Sequence, residues 1–508
     1  MSIIELHWSL HAGLPLLSVL QLLPLLGALL MLALRTWPHL ARLGLLLATV
    51  EMLLAVKLYL DYDPTSPAMQ FAEWWHLFGP LDYHAAVDGV SVLFILLSAL
   101  TSLLVMVYGP IRGLGPTWQL MALVFAVEST LMMMFSTLNL MWFVVLSAVQ
   151  LGLIGDVLGR WATSPARDTA LVRYYQFMGA GILLMLIGAL LLGWGHAQDG
   201  GRHWAFDLAE LARVPVAPAS QAVVFFLLFY GLAIRTPLFP FHGWLPPVAE
   251  HGDIAVAPTL LLGLKVGVYG LLRFVFPLLP EAVQAWQSYV FAFAVVGIFY
   301  AALMAMLQEN LRRLLAFAVV SHTSILVLGL FSLDHRAFQG SVMLSVTFGL
   351  ALVTLVFMTG LMFRRAGTSL LAKLGGLFDQ MPLVGIAFLV AGLSIVGMPG
   401  TPGFDAAHLV LEASVQRFGG LLTVAAALGN VLAAGFLLWA FQRAFLAPAR
   451  VPNAMAGGPG VTTPERVIAG VLVVVMLGAG FYTEPWLNLI DLPLEQLSSF
   501  YSGATGNR

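Results

Sequence analysis

Two basic residues stand where a chain of this kind tolerates charge least. Arg235 ends a strongly apolar run, and Lys265 lies within a second one, Thr259–Phe274. A charge at the centre of a membrane span costs at least ~2.5–3.5 kcal/mol on insertion scales, so both residues require a reason. Between them lies Arg235-Thr236-Pro237-Leu238-Phe239-Pro240, which breaks a helix and frees backbone polar groups. Such groups are tolerated at membrane depth only where they line protein or water. The chemistry implied is ion transfer. Lys265 has no carboxylate at helical spacing, so its partner must come from another helix. Burial favours the neutral amine, which allows the group to exchange a proton. The alternative is a structural lysine capped by carbonyls of the broken helix. Arginine keeps its proton, so Arg235 is expected to be a fixed charge that tunes its neighbours.

Other titratable groups extend the set. His322, in Ser321-His322-Thr323-Ser324, is a natural relay near neutral pH, and a polar path from Lys265 toward it is expected. A satisfied core histidine is the competing reading. Asp405, His408 and Glu412 follow a second break, Gly397-Met398-Pro399-Gly400-Thr401-Pro402-Gly403, and are i,i+3 and i,i+4 pairs if that segment is helical. They are either part of the path or the polar end of a helix. His242 and His251 flank the first break as surface histidines or the lining of an ion entrance. Glu128 is a lone carboxylate in another apolar run, and Glu51 is not an i,i+4 partner of Lys57.

The elements that must hold these residues are membrane helices. The chain has 508 residues, 60% hydrophobic and 9% charged, which predicts an all-α polytopic membrane protein. With no cysteine, disulfides, cysteine-ligated clusters and thiolate catalysis are excluded, and a net charge of −2 gives no footprint for nucleic acid. No metal or cofactor is expected. Apolar runs predict about fourteen spans, the first over 14–34, the eighth over 257–276 and the last over 465–482. The N-terminus lacks the charged region of a cleavable signal peptide, so 14–34 is expected to remain as a span. Residues 195–220 read as an outer loop with one short amphipathic helix, and 448–463 as an irregular linker. Lys and Arg are about twofold more frequent in the odd-to-even loops, which predicts that those loops are cytoplasmic and both termini periplasmic. The two breaks fall in spans seven and twelve. A shift of five spans inverts orientation, so spans 4–8 and 9–13 are expected to be inverted repeats with one broken helix each. The implied division is 1–110, 111–280, 281–447 and 448–508.

The broken stretch resembles the antiporter-like membrane subunits of respiratory complex I, most closely the subunit M or chain 4 type. The resemblance rests on Pro240-Phe241-His242-Gly243-Trp244-Leu245-Pro246 and the Lys265 run ending Tyr269-Gly270-Leu271-Leu272-Arg273-Phe274. Further matches are Val87-Asp88-Gly89, Asn310-Leu311-Arg312-Arg313, Ser321-His322, Leu374-Gly375-Gly376 and Gly397-Met398-Pro399-Gly400-Thr401, together covering about residues 80 to 445. It implies a subunit of the bacterial inner membrane that moves protons beside other membrane subunits, with redox chemistry elsewhere in the assembly. It also exposes departures. The family's span-five glutamate falls on Ser147, its span-eleven histidine on Phe348, and its span-twelve glutamate or lysine on or near Ala407. Glu128 is therefore expected to replace the lost carboxylate as the partner of Arg235. Two other functions stay open: a non-pumping or modified-coupling subunit, such as the membrane partner of a soluble enzyme in energy-coupled inorganic-carbon uptake, and a free-standing cation/proton antiporter.

Overall fold

A computed structural model describes residues 6–8, 14–77, 79–198, 203–448 and 461–502. The principal helices are α1 (Leu16–Ala33), α2 (Leu40–Asp61), α3 (Gly89–Arg112), α4 (Thr117–Ser136), α5 (Leu140–Arg160), α6 (Arg167–His196), α7 (Pro218–Arg235), α8 (Leu245–His251), α9 (Val256–Leu262) and α10 (Val266–Gly270). They continue as α11 (Pro280–Met306), α12 (Leu311–Leu330), α13 (His335–Ala366), α14 (Pro382–Val396), α15 (Gly403–Phe418), α16 (Gly420–Phe441), α17 (Thr463–Phe481) and α18 (Glu484–Ser502). Among the described residues twelve helices are long and apolar enough to cross a membrane. Two shorter apolar helices, Ser220–Arg235 and Pro382–Val396, are the leading halves of the two broken spans. The breaks at Pro237–Pro240 and Gly397–Pro402 therefore lie where the sequence placed them.

Caps start several of these helices where the sequence supplies Asp or Asn. The side chains of Asp88, Asn139, Asn310 and Asp334 each accept hydrogen bonds from backbone N–H groups one turn on, satisfying donors a helix start leaves free. A paired backbone device recurs. Leu140 N–H donates to Phe206 O and Leu208 N–H to Leu138 O, both at 2.9 Å. Five spans later Leu311 N–H donates to Ser369 O at 2.9 Å and Leu371 N–H to Glu309 O at 2.8 Å. In both places an Asn-capped helix start is tied to the chain just beyond the following helix.

Gly403 shows how the second break is held. A Cβ there would lie 2.0 Å from the Ser394 carbonyl oxygen, so α15 starts against the last turn of α14 with no room for a side chain. Gly403→Ala is expected to destabilise the protein by about 1–3 kcal/mol through overpacking, read as a lower thermal midpoint of the purified protein in detergent.

Three features differ from expectation. Span eight is not continuous, because the chain leaves helix at Gly263–Lys265 between α9 and α10. A small sheet covers one end, with β1 (Leu6–Trp8) parallel to β2 (Met69–Trp75) and β2 antiparallel to β3 (Tyr83–Val87). From β2, the Glu73 carboxylate accepts the Leu17 and Ser18 N–H groups at 2.9 and 3.0 Å and the Ser18 hydroxyl, so it caps α1. Burial pushes the Glu73 carboxyl up, and these hydrogen bonds oppose that shift. Finally, α18 follows the last predicted span and packs on α3 and α13. Of the stretch 195–220, residues 195–198 and 203–220 are described; α6 runs on to His196, and one short helix, Leu208–Leu211, follows. Most of the 448–463 linker lies outside the described residues.

Buried residues concentrate in α9, α12 and α13, which form the centre, whereas α2 and α17 present Leu53 and Val474 outward. A charge or break on the central helices must be solved by neighbouring side chains. One on the rim can be solved by solvent, lipid or partners.

Candidate functional site

Lys265 stands in the break between α9 and α10, immediately before α10, with left-handed backbone angles of φ 44° and ψ 41°. A non-glycine residue there carries a cost of about 1–2 kcal/mol, so the surrounding packing must impose it. Glycine contacts on both sides do so. A Cβ on Gly349 of α13 would meet the Gly263 carbonyl oxygen at 2.2 Å, and one on Gly267 would meet Thr236 Oγ1 at 1.9 Å. The break is thus wedged between α13 and the end of α7. Lys265 is 2% exposed, and its Nζ donates to Thr323 Oγ1 on α12 at 2.5 Å. The ammonium lies 4.4 Å from the centroid of the Phe348 ring. No carboxylate forms an ion pair with it among the described residues. A hydroxyl and a ring face compensate a buried ammonium poorly.

The ring of His322 stacks on the same Phe348 ring, with centroids 4.3 Å apart and planes 14° apart. Its Nε2 is buried without a hydrogen-bond partner. Lys265 and His322 are therefore brought together as expected, but through an aromatic ring rather than a continuous polar path. Thr323, adjacent to His322 on α12, is the hydroxyl that reaches the lysine.

Arg235 does not meet Glu128. Its Nη2 lies 3.9 Å from Met134 Sδ, and its Nε has no partner. Met134 is six residues beyond Glu128 on α4, which is about 9 Å along the axis and well round the helix at 100° per residue. Position along α4 fixes depth but not the face of the helix a side chain takes. Glu128 turns to α2 and α3 instead, and both of its oxygens lack hydrogen-bond partners. Ser147 donates to the Phe143 carbonyl of its own helix at 2.8 Å, so it offers Arg235 nothing.

The residues after the second break also lie off this axis. Asp405 accepts from the Thr483 hydroxyl, Glu412 pairs with Arg336, and His408 is 69% exposed, 4.0 Å from Glu412. Ala407 faces inward and carries no titratable atom. Asp405 and His408 thus belong to the rim. His242 is not a surface residue, being buried against Phe239 and Tyr300 with centroids at 5.8 and 5.4 Å. His251 is half-buried, its Nδ1 3.1 Å from Ser164 Oγ.

Two buried polar contacts escaped sequence reasoning. Arg312, on the motif Asn310-Leu311-Arg312-Arg313, donates to Thr163 Oγ1 and Gly252 O, both at 2.6 Å, and ties the α5–α6 loop to the turn after α8. Arg273, at the end of the Lys265 run, is buried. It donates to Asp88 Oδ1 at 2.7 Å, Ser91 Oγ at 3.0 Å and Tyr269 OH at 3.2 Å. The spacing of Tyr269 and Arg273, one turn apart, was the available signal.

Comparison with known proteins agrees with this architecture. The transmembrane family described as NADH:quinone oxidoreductase/Mrp antiporter matches residues 136–433. NADH-quinone oxidoreductase subunit M of Mycobacterium tuberculosis is 27% identical over 528 aligned positions, covering 95% of this chain and 93% of that protein. Among solved structures, a chain of respiratory complex I from Thermus thermophilus superposes with a TM-score of 0.83 at 27% identity, covering 95% of this chain and 99% of that one. A chain of the Mrp complex from Dietzia sp. shares the fold, with a TM-score of 0.82 at 19% identity over 96% of this chain and 99% of its own length.

Proposed function

We propose a function from one fixed premise: the chain belongs to the NADH:quinone oxidoreductase/Mrp antiporter transmembrane family. It is a proton-translocating, antiporter-like membrane subunit of a complex-I-like assembly. The observation that carries this reading is Lys265, a buried amine at a helix break whose ammonium is held by one hydroxyl. The proton leaves Nζ toward Thr323, whose hydroxyl can accept one proton and pass on its own. His322 then takes the proton at its unpartnered Nε2. Phe348 separates the two bases, so the transfer requires a side-chain rotation or a water beside the ring. Arg235 is the fixed positive charge at the end of α7. Initial rates of proton movement in vesicles carrying the whole assembly test the reading, with Lys265 replaced.

Because several of the relatives sit in multi-subunit complexes, other membrane subunits are the expected partners. The recurring backbone pairs at Leu140–Leu208 and Leu311–Leu371 support division into the two inverted repeats, 111–280 and 281–447. Both termini are expected on the periplasmic side. In this cysteine-free chain, a cysteine at His76 should label from outside and one at Arg167 only after permeabilisation. The reverse pattern would invert the topology.

A second reading, a subunit with weak or absent pumping, is favoured by Ser147, Phe348 and Ala407 at stations where the resemblance implies titratable groups. Phe348→His separates the two. If proton transfer past this ring limits flux, the added imidazole raises the initial rate several-fold; an unchanged rate with Lys265 intact favours the non-pumping reading.

A further inference from the structure

Glu51 and Glu128 are fully buried, and none of their four carboxyl oxygens has a hydrogen-bond partner. Packing on either side fixes where they lie. A Cβ on Gly44 of α2 would meet Met121 Sδ of α4 at 2.4 Å, so these positions face each other. Helices α2 and α4 run in the same direction, each separated from the other by one turn-around through α3. Seven residues on from that contact, about 10 Å along each axis and back on the same face, stand Glu51 and Glu128. The electrostatic effect of Glu51 on Glu128 agrees with this placement. Helix α3 runs the other way. A Cβ on its Gly109 would meet Leu120 Cδ2 at 2.1 Å, and seven residues back from Gly109 is Ser102. The Ser102 side chain is fully buried beside Glu128, and its hydroxyl has no hydrogen-bond partner.

Among the described residues no positive group pairs with this cluster. Helix α1, packed on α4, carries no charged residue; α3 carries only Arg112 at its far end. On α5, Asp156 and Arg160 pair with each other at 2.6 Å. On α2 itself Lys57 pairs with Asp61 at 2.6 Å near the helix end, and Arg42 lies nine residues from Glu51 at the other end. Arg235 meets α4 at Met134, beyond reach. Two carboxylates enclosed with no cation and a single hydroxyl cannot both stay ionised.

We propose that Glu51, Glu128 and Ser102 form a second proton-binding site, outside the Lys265 axis, in which the two carboxyls hold at least one proton between them. The protonated carboxyl donates its O–H to the other carboxylate, and Ser102 donates its hydroxyl hydrogen to the same acceptor. The site is independent of the transport reading.

Infrared spectroscopy of the purified assembly tests it. The wild type is expected to show a protonated-carboxyl C=O band that exchanges slowly in deuterated buffer. Glu51→Gln and Glu128→Gln should each remove or displace that band, because the two groups share it. Ser102→Ala should shift it while leaving it present, and so gives a readout should either glutamine variant fail to assemble. Lys265→Met should leave it unchanged, which separates this site from the transport axis. The proposal is overturned if the band is absent from the wild type, or identical in all three variants of the site. Loss of the band on adding NaCl at constant pH would assign the site to Na⁺ and overturn the proton reading.

Discussion

Lys265→Met is expected to abolish proton movement by the assembly while leaving the protein folded. Methionine fills nearly the same volume, touches Phe348 as an apolar chain does, and removes a buried charge whose one hydrogen-bond partner among the described residues is Thr323. Replacing a poorly compensated buried charge by an apolar group is often neutral or stabilising, so abundance and thermal midpoint should hold or rise. The rate is another matter. Loss of a positioned proton-transfer group typically costs about 10²–10⁴-fold. Lys265→Arg separates titration from charge: the guanidinium keeps its proton, so this variant should fail as well. Initial rates of dye quenching in inverted vesicles, normalised to assembled complex, decide the matter. A Lys265→Arg variant that transports at the wild-type rate would show that Lys265 supplies charge and not a proton.

The second large effect is on stability. Arg273→Met would leave Asp88 buried beside Ser91 without its cation, and breaking such a pair costs about 3–5 kcal/mol. Asp88 also caps α3 through Ser91 N–H at 2.9 Å, so the entrance of that helix is coupled to the same charge. Asp88→Asn keeps a capping oxygen but strands Arg273. The double variant should be less damaged than the sum of the singles, since neither charge is then left alone. Thermal midpoints of the purified assembly in detergent give all corners of this cycle. Strict additivity would mean that the pair does not interact.

Much of the architecture was legible because it is written locally. Apolar runs set the spans, Pro237, Pro240 and the glycines after Val396 set two breaks, and Asp88, Asn139 and Asn310 announce helix starts. The third break was less legible. Gly263 and Gly267 flank Lys265, but helical glycines are ordinary in membranes, and only their contacts with Gly349 and Thr236 turn this spacing into a left-handed lysine. The small sheet was missed because Met69–Trp75 is short and its partners lie far away in the chain.

By itself, then, the sequence determined the membrane class, the family resemblance, the positions of two broken helices and the pairing of Lys265 with His322 as the chemistry to examine. Each follows from hydropathy, backbone-breaking residues or motifs that act within a few positions of themselves. Only the tertiary structure decided what each buried charge faces. Lys265 meets Thr323 and the face of Phe348, Arg235 meets Met134, Arg273 meets Asp88, and Glu128 turns to Glu51. Rise per residue gives depth along one helix, but rotation about its axis and offset against its neighbours are set by glycine contacts between separate segments, such as Gly349 against Gly263 and Gly44 against Met121.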